Sequence, residues 1–539
     1  VSELTSANGK PSSNPSSSQN STPKRTERFQ YKALLSALVF ALAGLPMANA
    51  QAAATPYQGS YTETITTAVS KTGDRAVRIG DPNYPNQGPI HILITSTGQL
   101  TIPNLNFQVT AYVGNGQRPG DANTVAVSGS NVDIDGGKLI MTGPTKWLEV
   151  GRTDFGFMNV YNGATVTTPG SVGIGAWRST TGELAYLTID GAGTTFTAGQ
   201  EFVVGDTGEN QNGAGILTVS GGAQLTVGKI NTGSSQSLAK IYFDNAKLKV
   251  TQAGTLFANI NTVSGSELDV LDIQGELELD TSATGAYTQA ANAAISGTGS
   301  ITKKGAGNLI LAADNTYSGG THITEGSVQL GNGGTTGSAG TGDITVDSET
   351  TLALNRSDNL TLANLINGEG TLRKLGDNTV DFAQTVTVSK TQIDDGTLEV
   401  TSNFHGGHVV VGDAIEAAAT AKFAIKAGET VSVKSLLIQS DGQLSTQGDQ
   451  SSPSTLTVEN GLVVDGGQWN LTAGSSVSAS TTEIKDGVVE LPADVTLTSP
   501  TVKVGDGTGA ASTAQMTVNG SLVSDNVTVN SDGNVDFRT

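Results

Sequence analysis

An all-β solenoid of short stacked strands accounts for this sequence better than any other architecture, on three grounds. Apolar and polar residues alternate in brief runs, as in Leu268 to Asp280 (LDVLDIQGELELD) and Lys247 to Thr251 (KLKVT); this is the period of a strand with one buried face. The runs close on Asn-Gly, Asp-Gly or Gly-Gly, and glycine supplies 69 of 539 residues, about 13% against an average near 7%. The strand–turn units also recur. Val160, Ile189 and Val219 head similar turns, spaced 29 and 30 residues apart, and self-similarity at such a period marks a repeat fold. After residue 50 no stretch keeps a helical period with caps.

The chain opens on Val1 rather than Met, as a fragment or a start not written as Met would. Residues 1–23 form a Ser/Pro-rich extension, expected to be disordered. Residues 24–50 read as a signal peptide. Lys24, Arg25, Arg28 and Lys32 supply its positive region, residues 33–45 its apolar run, and Ala48-Asn49-Ala50 a cleavage site after Ala50. An apolar run of 13 residues is too short to span a bilayer, which takes about 20.

Residues 51–294 are expected to form stacked coils. An apolar residue followed by Gly closes successive coils at Val150-Gly151, Ile174-Gly175, Val204-Gly205 and Val227-Gly228. Residues 295–402 hold two copies of one longer unit. Aligned, the copies share Gly297/Gly368, Gly299/Gly370, Lys303/Lys374, Gly305/Gly376, Ile323/Ile393 and Gly326/Gly396, at an offset of 71 that falls to 70. Residues 403–539 continue the stack. Short strands with one apolar face cannot stand alone. Stacking buries each inward Val, Ile or Leu, worth about 1.5–3 kcal/mol, against a backbone ordering cost of about 1–2 kcal/mol per residue.

The segment Lys303 to Gly331 (KKGAGNLILAADNTYSGGTHITEGSVQLG) resembles the passenger-associated transport repeat of bacterial autotransporters. The matching elements are Lys304-x-Gly-x-Gly307, Leu309-x-Leu311, Asn315-x-Tyr-Ser-Gly-Gly-Thr321, Ile323 and Gly326-x-Val328-x-Leu330. The second copy keeps the Gly-x-Gly and Gly-Thr-Leu ends and loses the Asn-x-Tyr core. The resemblance implies a right-handed parallel β-helix, exported by the general secretory route and threaded through the outer membrane to the surface of a Gram-negative cell. Its implied partners are a translocator barrel, the barrel-assembly machinery, and surface ligands (protein or glycan) on host or sister cells. No amphipathic barrel strands precede Thr539, so either the chain is truncated before a C-terminal translocator barrel, which is the expectation, or the barrel is a separate polypeptide. An absence of cysteine suits a chain that must stay unlocked until it has been threaded.

No catalytic, cofactor or metal site is expected. Thiol chemistry is excluded by zero Cys. Gly320-Thr-His322 lacks the partner segments of a subtilisin-like protease, and His322 holds a repeat position equivalent to Gln392. Gly205-Asp-Thr-Gly208 and Gly505-Asp-Gly507 lack a nucleophilic Ser. His405-Gly-Gly-His408 has no third ligand in sight. Asp133, Asp135, Asp394 and Asp395 are expected to form turns or solvated faces. A net charge of −20 opposes nucleic-acid binding. The expected role is adhesion or autoaggregation by an extended, non-enzymatic β-helix. The alternative is a β-helical hydrolase or lyase with an unrecognised site.

Overall fold

A computed structural model describes residues 61–538, except 66–67, 71–76, 80–89, 95–98, 103–106, 111–123, 129, 143–146, 152–155, 176–183, 206–213, 234–237, 259–269, 416–419 and 509–512, with side chains from Val132 onward. The signal peptide and its cleavage after Ala50 lie outside the described residues.

Every described element is a strand, and every strand pairing is parallel. Parallel neighbours need a crossover between them; here each crossover is the rest of one coil. The chain runs Gly156–Tyr161, Thr165–Thr168, Ser171–Ile174, then repeats as Leu184–Asp190, Thr195–Ala198, Glu201–Val204 and as Ala214–Ser220, Gln224–Val227, Lys229–Thr232. Each third of a coil stacks on the same third of the next, giving the three sides of a parallel β-helix.

The first side is an eight-stranded sheet from Tyr61–Ile65 to Val270–Ile273. The second has 14 strands, from Ala68–Ser70 to Phe404–His405. The third begins as seven strands ending at Lys229–Thr232. An 18-stranded sheet that starts at Gly254–Leu256 continues that face: Phe257 N donates to Ile230 O at 2.8 Å and Thr232 N to Ala258 O at 3.0 Å. Towards the C-terminal end the same sheet wraps other sides as well, because the long strands Thr455–Asp465 and Ser476–Leu491 bend round the coil; Thr430–Val433 takes up the second side after Phe404–His405 and pairs with the first half of Thr455–Asp465. In the coils of residues 300–345 one side is made by turns alone, and strands reappear there as a six-stranded sheet from Leu360–Leu362 to Gln468–Asn470. The 16-residue strand Ser476–Leu491 bends round the coil and pairs with three successive strands.

The interior follows from the alternation. Val160, Ile189, Val219, Phe243 and Ile273 form one ladder of register partners, and all are fully buried. The 29- and 30-residue spacing in the sequence is therefore one turn of the helix. Val150, Ile174 and Val204 form a second buried ladder, each followed by a glycine at positive φ: Gly151 at 73°, Gly175 at 72° and Gly205 at 93°. An L residue is strained at that φ, and a Cβ on Gly175 would also lie 2.5 Å from Ala214 O.

The fourth expected corner, Val227-Gly228, is not one of this series. Val227 pairs with Val250 on the second side. The corner above Val204-Gly205 is Thr232-Gly233, where Gly233 N donates to Val204 O at 2.8 Å. The apolar-Gly pattern misled because an inward strand end and a corner share it, while the true corner carries a polar β-branched residue.

Candidate functional site: the repeat coils

The two copies of the long unit place the same chemistry on different sides of the helix. Lys303 lies one residue before the end of Ser300–Lys304 on the second side, whereas Lys374 ends Thr371–Lys374 on the third. Both side chains are fully buried. The Lys303 ammonium donates to the carbonyls of Lys304 (2.9 Å), Gly305 (2.6 Å) and Glu325 (3.1 Å). Lys374 donates to the carbonyls of Gly376 and, at 3.3 Å, Asp395. Each lysine thus fills a corner from inside and satisfies carbonyls that no strand partner reaches. Burial pulls both ammonium groups down to about 8, while Asp280 and Glu325 beside Lys303, and Asp395 and Asp377 beside Lys374, act in the opposite sense.

The shared glycines complete the corner. Gly326 (φ 69°) lies over the carbonyls of Gly305 and Gly307, and Gly396 (φ 66°) over those of Gly376 and Asn378. A Cβ on Gly326 would come within 2.5 Å of Gly305 O. The aligned glycines therefore let the next coil close tightly over each lysine-filled corner.

The Asn-x-Tyr core, present in the first copy only, builds the side that lacks strands. Asn315 is 4% exposed and uses both ends of its amide. Its Oδ1 accepts from Ile295 N (2.8 Å) and Gln289 Nε2 (2.7 Å); its Nδ2 donates to Ser338 O (2.6 Å) and Gln289 Oε1 (3.2 Å). Three successive coils are joined through one side chain. Tyr317 is wholly buried, its hydroxyl lies 2.6 Å from Thr321 Oγ1, and Thr321 in turn donates to Ala339 O at 3.3 Å. Burial pushes the Tyr317 phenol far up.

The ionisable residues singled out in the sequence do not converge. His322 faces outward, with Nε2 2.9 Å from Asp347 Oδ1 on the next coil. Its repeat equivalent, Gln392, donates to Gly412 O at 2.8 Å. His405 and His408 fall on separate strands of different sheets, and His408 Nδ1 lies 2.8 Å from Ser435 Oγ. Asp133 accepts from Asn159 Nδ2 (2.7 Å), Asp135 from Asn162 Nδ2 (2.8 Å), and Asp394 pairs with Arg373 at 2.6 Å. Among the described residues no three His, Asp or Glu side chains stand together as a metal site would require.

Residues 301–330 match the family model of the passenger-associated transport repeat. These are the residues of the first buried-lysine corner and the Asn315 network. A stretch of 89 residues is also 44% identical to the adhesin BmaC autotransporter of Brucella suis biovar 1 (strain 1330), over 16% of this chain and 2% of that protein. Over these stretches the chain is similar to autotransporter passengers, and residues 301–330 are a passenger-associated transport repeat. Its matched region spans about 2% of the relative's length, and no solved structure matches it. Sequence reasoning aligned Lys303 with Lys374 but missed what they do; an invariant cation amid glycines at a strand end was the available signal.

Proposed function

We propose that this passenger is an adhesin, non-enzymatic, which binds host or sister-cell surface ligands through the outward faces of its β-helix. The observation that carries the reading is the match to a protein named as an adhesin autotransporter. The outward ladders support it: they repeat coil after coil, as a surface for extended contact does. Export would start from the signal peptide of residues 24–50, cut after Ala50, and end at an outer-membrane translocator barrel. Cells that express or lack the full gene, compared for attachment to epithelial monolayers and for settling in suspension, test the proposal. Equal attachment and equal settling would refute it.

Within that reading, residues 295–402 serve transport. Their close-stacked corners form a compact block that folds locally once outside the cell and opposes backsliding. Deleting 295–402 should lower the amount of surface passenger; unchanged display would refute this role.

A further inference from the structure

The second side of the helix changes character along its length. Between residues 247 and 347 its outward positions carry ionisable side chains in pairs: Lys249 with Asp280 at 2.7 Å, Lys304 with Glu278 at 2.9 Å, and His322 with Asp347 at 2.9 Å. Five later coils replace these with hydroxyls. Thr430, Thr455, Ser476, Thr496 and Ser521 are successive register partners, and so are Ser432, Thr457, Ser478, Thr498 and Val523. Nine of these ten outward positions bear a hydroxyl and none bears a charge. The residues between the columns, Val431, Leu456, Val477 and Leu497, are fully buried, so the register of the face is fixed from below.

The hydroxyls of this face are not used by the fold. Ser476 Oγ donates to Thr455 Oγ1 at 3.2 Å; the other seven make no side-chain hydrogen bond with any described residue. Corner hydroxyls of the same coils behave differently. Ser454 donates to Lys426 O (2.9 Å), Ser475 to Thr446 Oγ1 (2.9 Å) and Ser499 to Thr501 O (2.9 Å). Folding therefore accounts for the hydroxyls at the corners and leaves seven of the nine on the face without a side-chain hydrogen bond among the described residues; all nine are half-buried or exposed.

We propose that this face binds an extended, uncharged glycan chain lying along the helix axis. The inference rests on the adhesin reading and names its ligand class. Charge selects the partner: on a chain of net charge −20, ten adjoining outward positions without an ionisable group neither repel a neutral polymer nor attract a basic one. Each Ser or Thr hydroxyl donates one hydrogen bond and accepts others, which suits a partner whose own hydroxyls do both. Rungs about 4.8 Å apart along the axis offer such a chain the same pair of hydroxyls at every coil, so weak single contacts add along its length.

Electrophoresis of the full chain through native gels containing dextran, mannan or hydroxyethyl cellulose tests the proposal, with carboxymethyl cellulose as the charged comparison. At least one neutral polymer should retard the chain, and the carboxylated one should not. Thr457→Val, Ser478→Ala and Thr498→Val together should weaken that retardation about tenfold with melting unchanged. A single Thr457→Lys, which sets a charge in mid-face, reads the same loss if the triple variant melts early. Failure of all neutral polymers to retard the parent, or equal retardation of parent and variants, would overturn the inference. So would a change in sedimentation without a change in retardation, which would make the face a contact between copies. Attachment of cells with and without the gene is scored separately: attachment that survives these substitutions refutes the glycan face and leaves the adhesin reading standing.

Discussion

Lys303 and Lys374 do the same work on different sides of one helix. Three rungs of the second side lead from Lys303 through Ile323 and Val346 to Gly368, and six residues more reach Lys374 on the third side. The repeat is thus a whole number of coils plus one side. What the two copies share is a corner, a strand end plugged by an ammonium and roofed by a glycine, and a corner can be built at any vertex of a three-sided coil.

Replacing either lysine by Met should destabilise the fold by about 1–3 kcal/mol, because buried carbonyls lose their donor. The two corners lie in different coils, so the double variant should sum the single effects. Thermal melts of the three variants at neutral pH check this.

The same lysines predict how stability varies with pH. Burial holds both at about 8 in the folded state, below the ordinary 10.5. Between those values the unfolded chain binds more protons than the folded one, so stability rises as pH climbs from about 8 toward 10. Above about 10 the sign reverses, since the phenols of Tyr161, raised to about 12, and Tyr317 resist ionisation in the fold. Melting temperature should therefore rise from pH 7.5 to 9.5 in the native chain. In the double lysine-to-Met variant that rise should be absent.

Asn315→Ala should cost more than Tyr317→Phe. The first leaves Ile295 N, Ser338 O and the Gln289 amide without their partner, a loss of about 1–3 kcal/mol. The second removes one hydroxyl bond to Thr321 and keeps the ring buried, for about 0.5–1.5 kcal/mol. Urea midpoints with unchanged slope would confirm the order.

Gly326→Ala and Gly163→Ala separate conformational strain from steric clash. Both glycines have positive φ, 69° and 77°. A Cβ at Gly163 meets nothing within 4 Å, whereas one at Gly326 meets Gly305 O at 2.5 Å. Gly163→Ala should cost about 1 kcal/mol, and Gly326→Ala clearly more. Equal shifts in melting temperature would contradict the close stacking.

The sequence made the architecture legible wherever one coil repeats the last. Val160, Ile189 and Val219 were spaced as register partners because side-chain alternation and coil length leave little freedom there. The glycine pairs of the long repeat were legible for the same reason. Three things were not. The Thr232-Gly233 corner was hidden because a polar β-branched residue can end a strand as well as Val does. The shift of the second copy onto another side was hidden because an offset of 71 residues does not announce how many residues make each coil. The hydroxyl columns were hidden because their members sit 20 to 25 residues apart and only the register brings them into line.

Parallel stacking of one coil on the next is the claim on which everything else depends. The chain has no cysteine, so a pair can be placed cleanly. Thr188 and Thr218 are outward register partners on adjacent coils, about 4.8 Å apart and within disulfide reach. Tyr242 is one coil further. Under mild oxidation Thr188→Cys/Thr218→Cys should close a disulfide, seen as a mobility shift that reductant reverses, and Thr188→Cys/Tyr242→Cys should not. Crosslinking of both pairs alike, or of neither, would contradict the stacked β-helix.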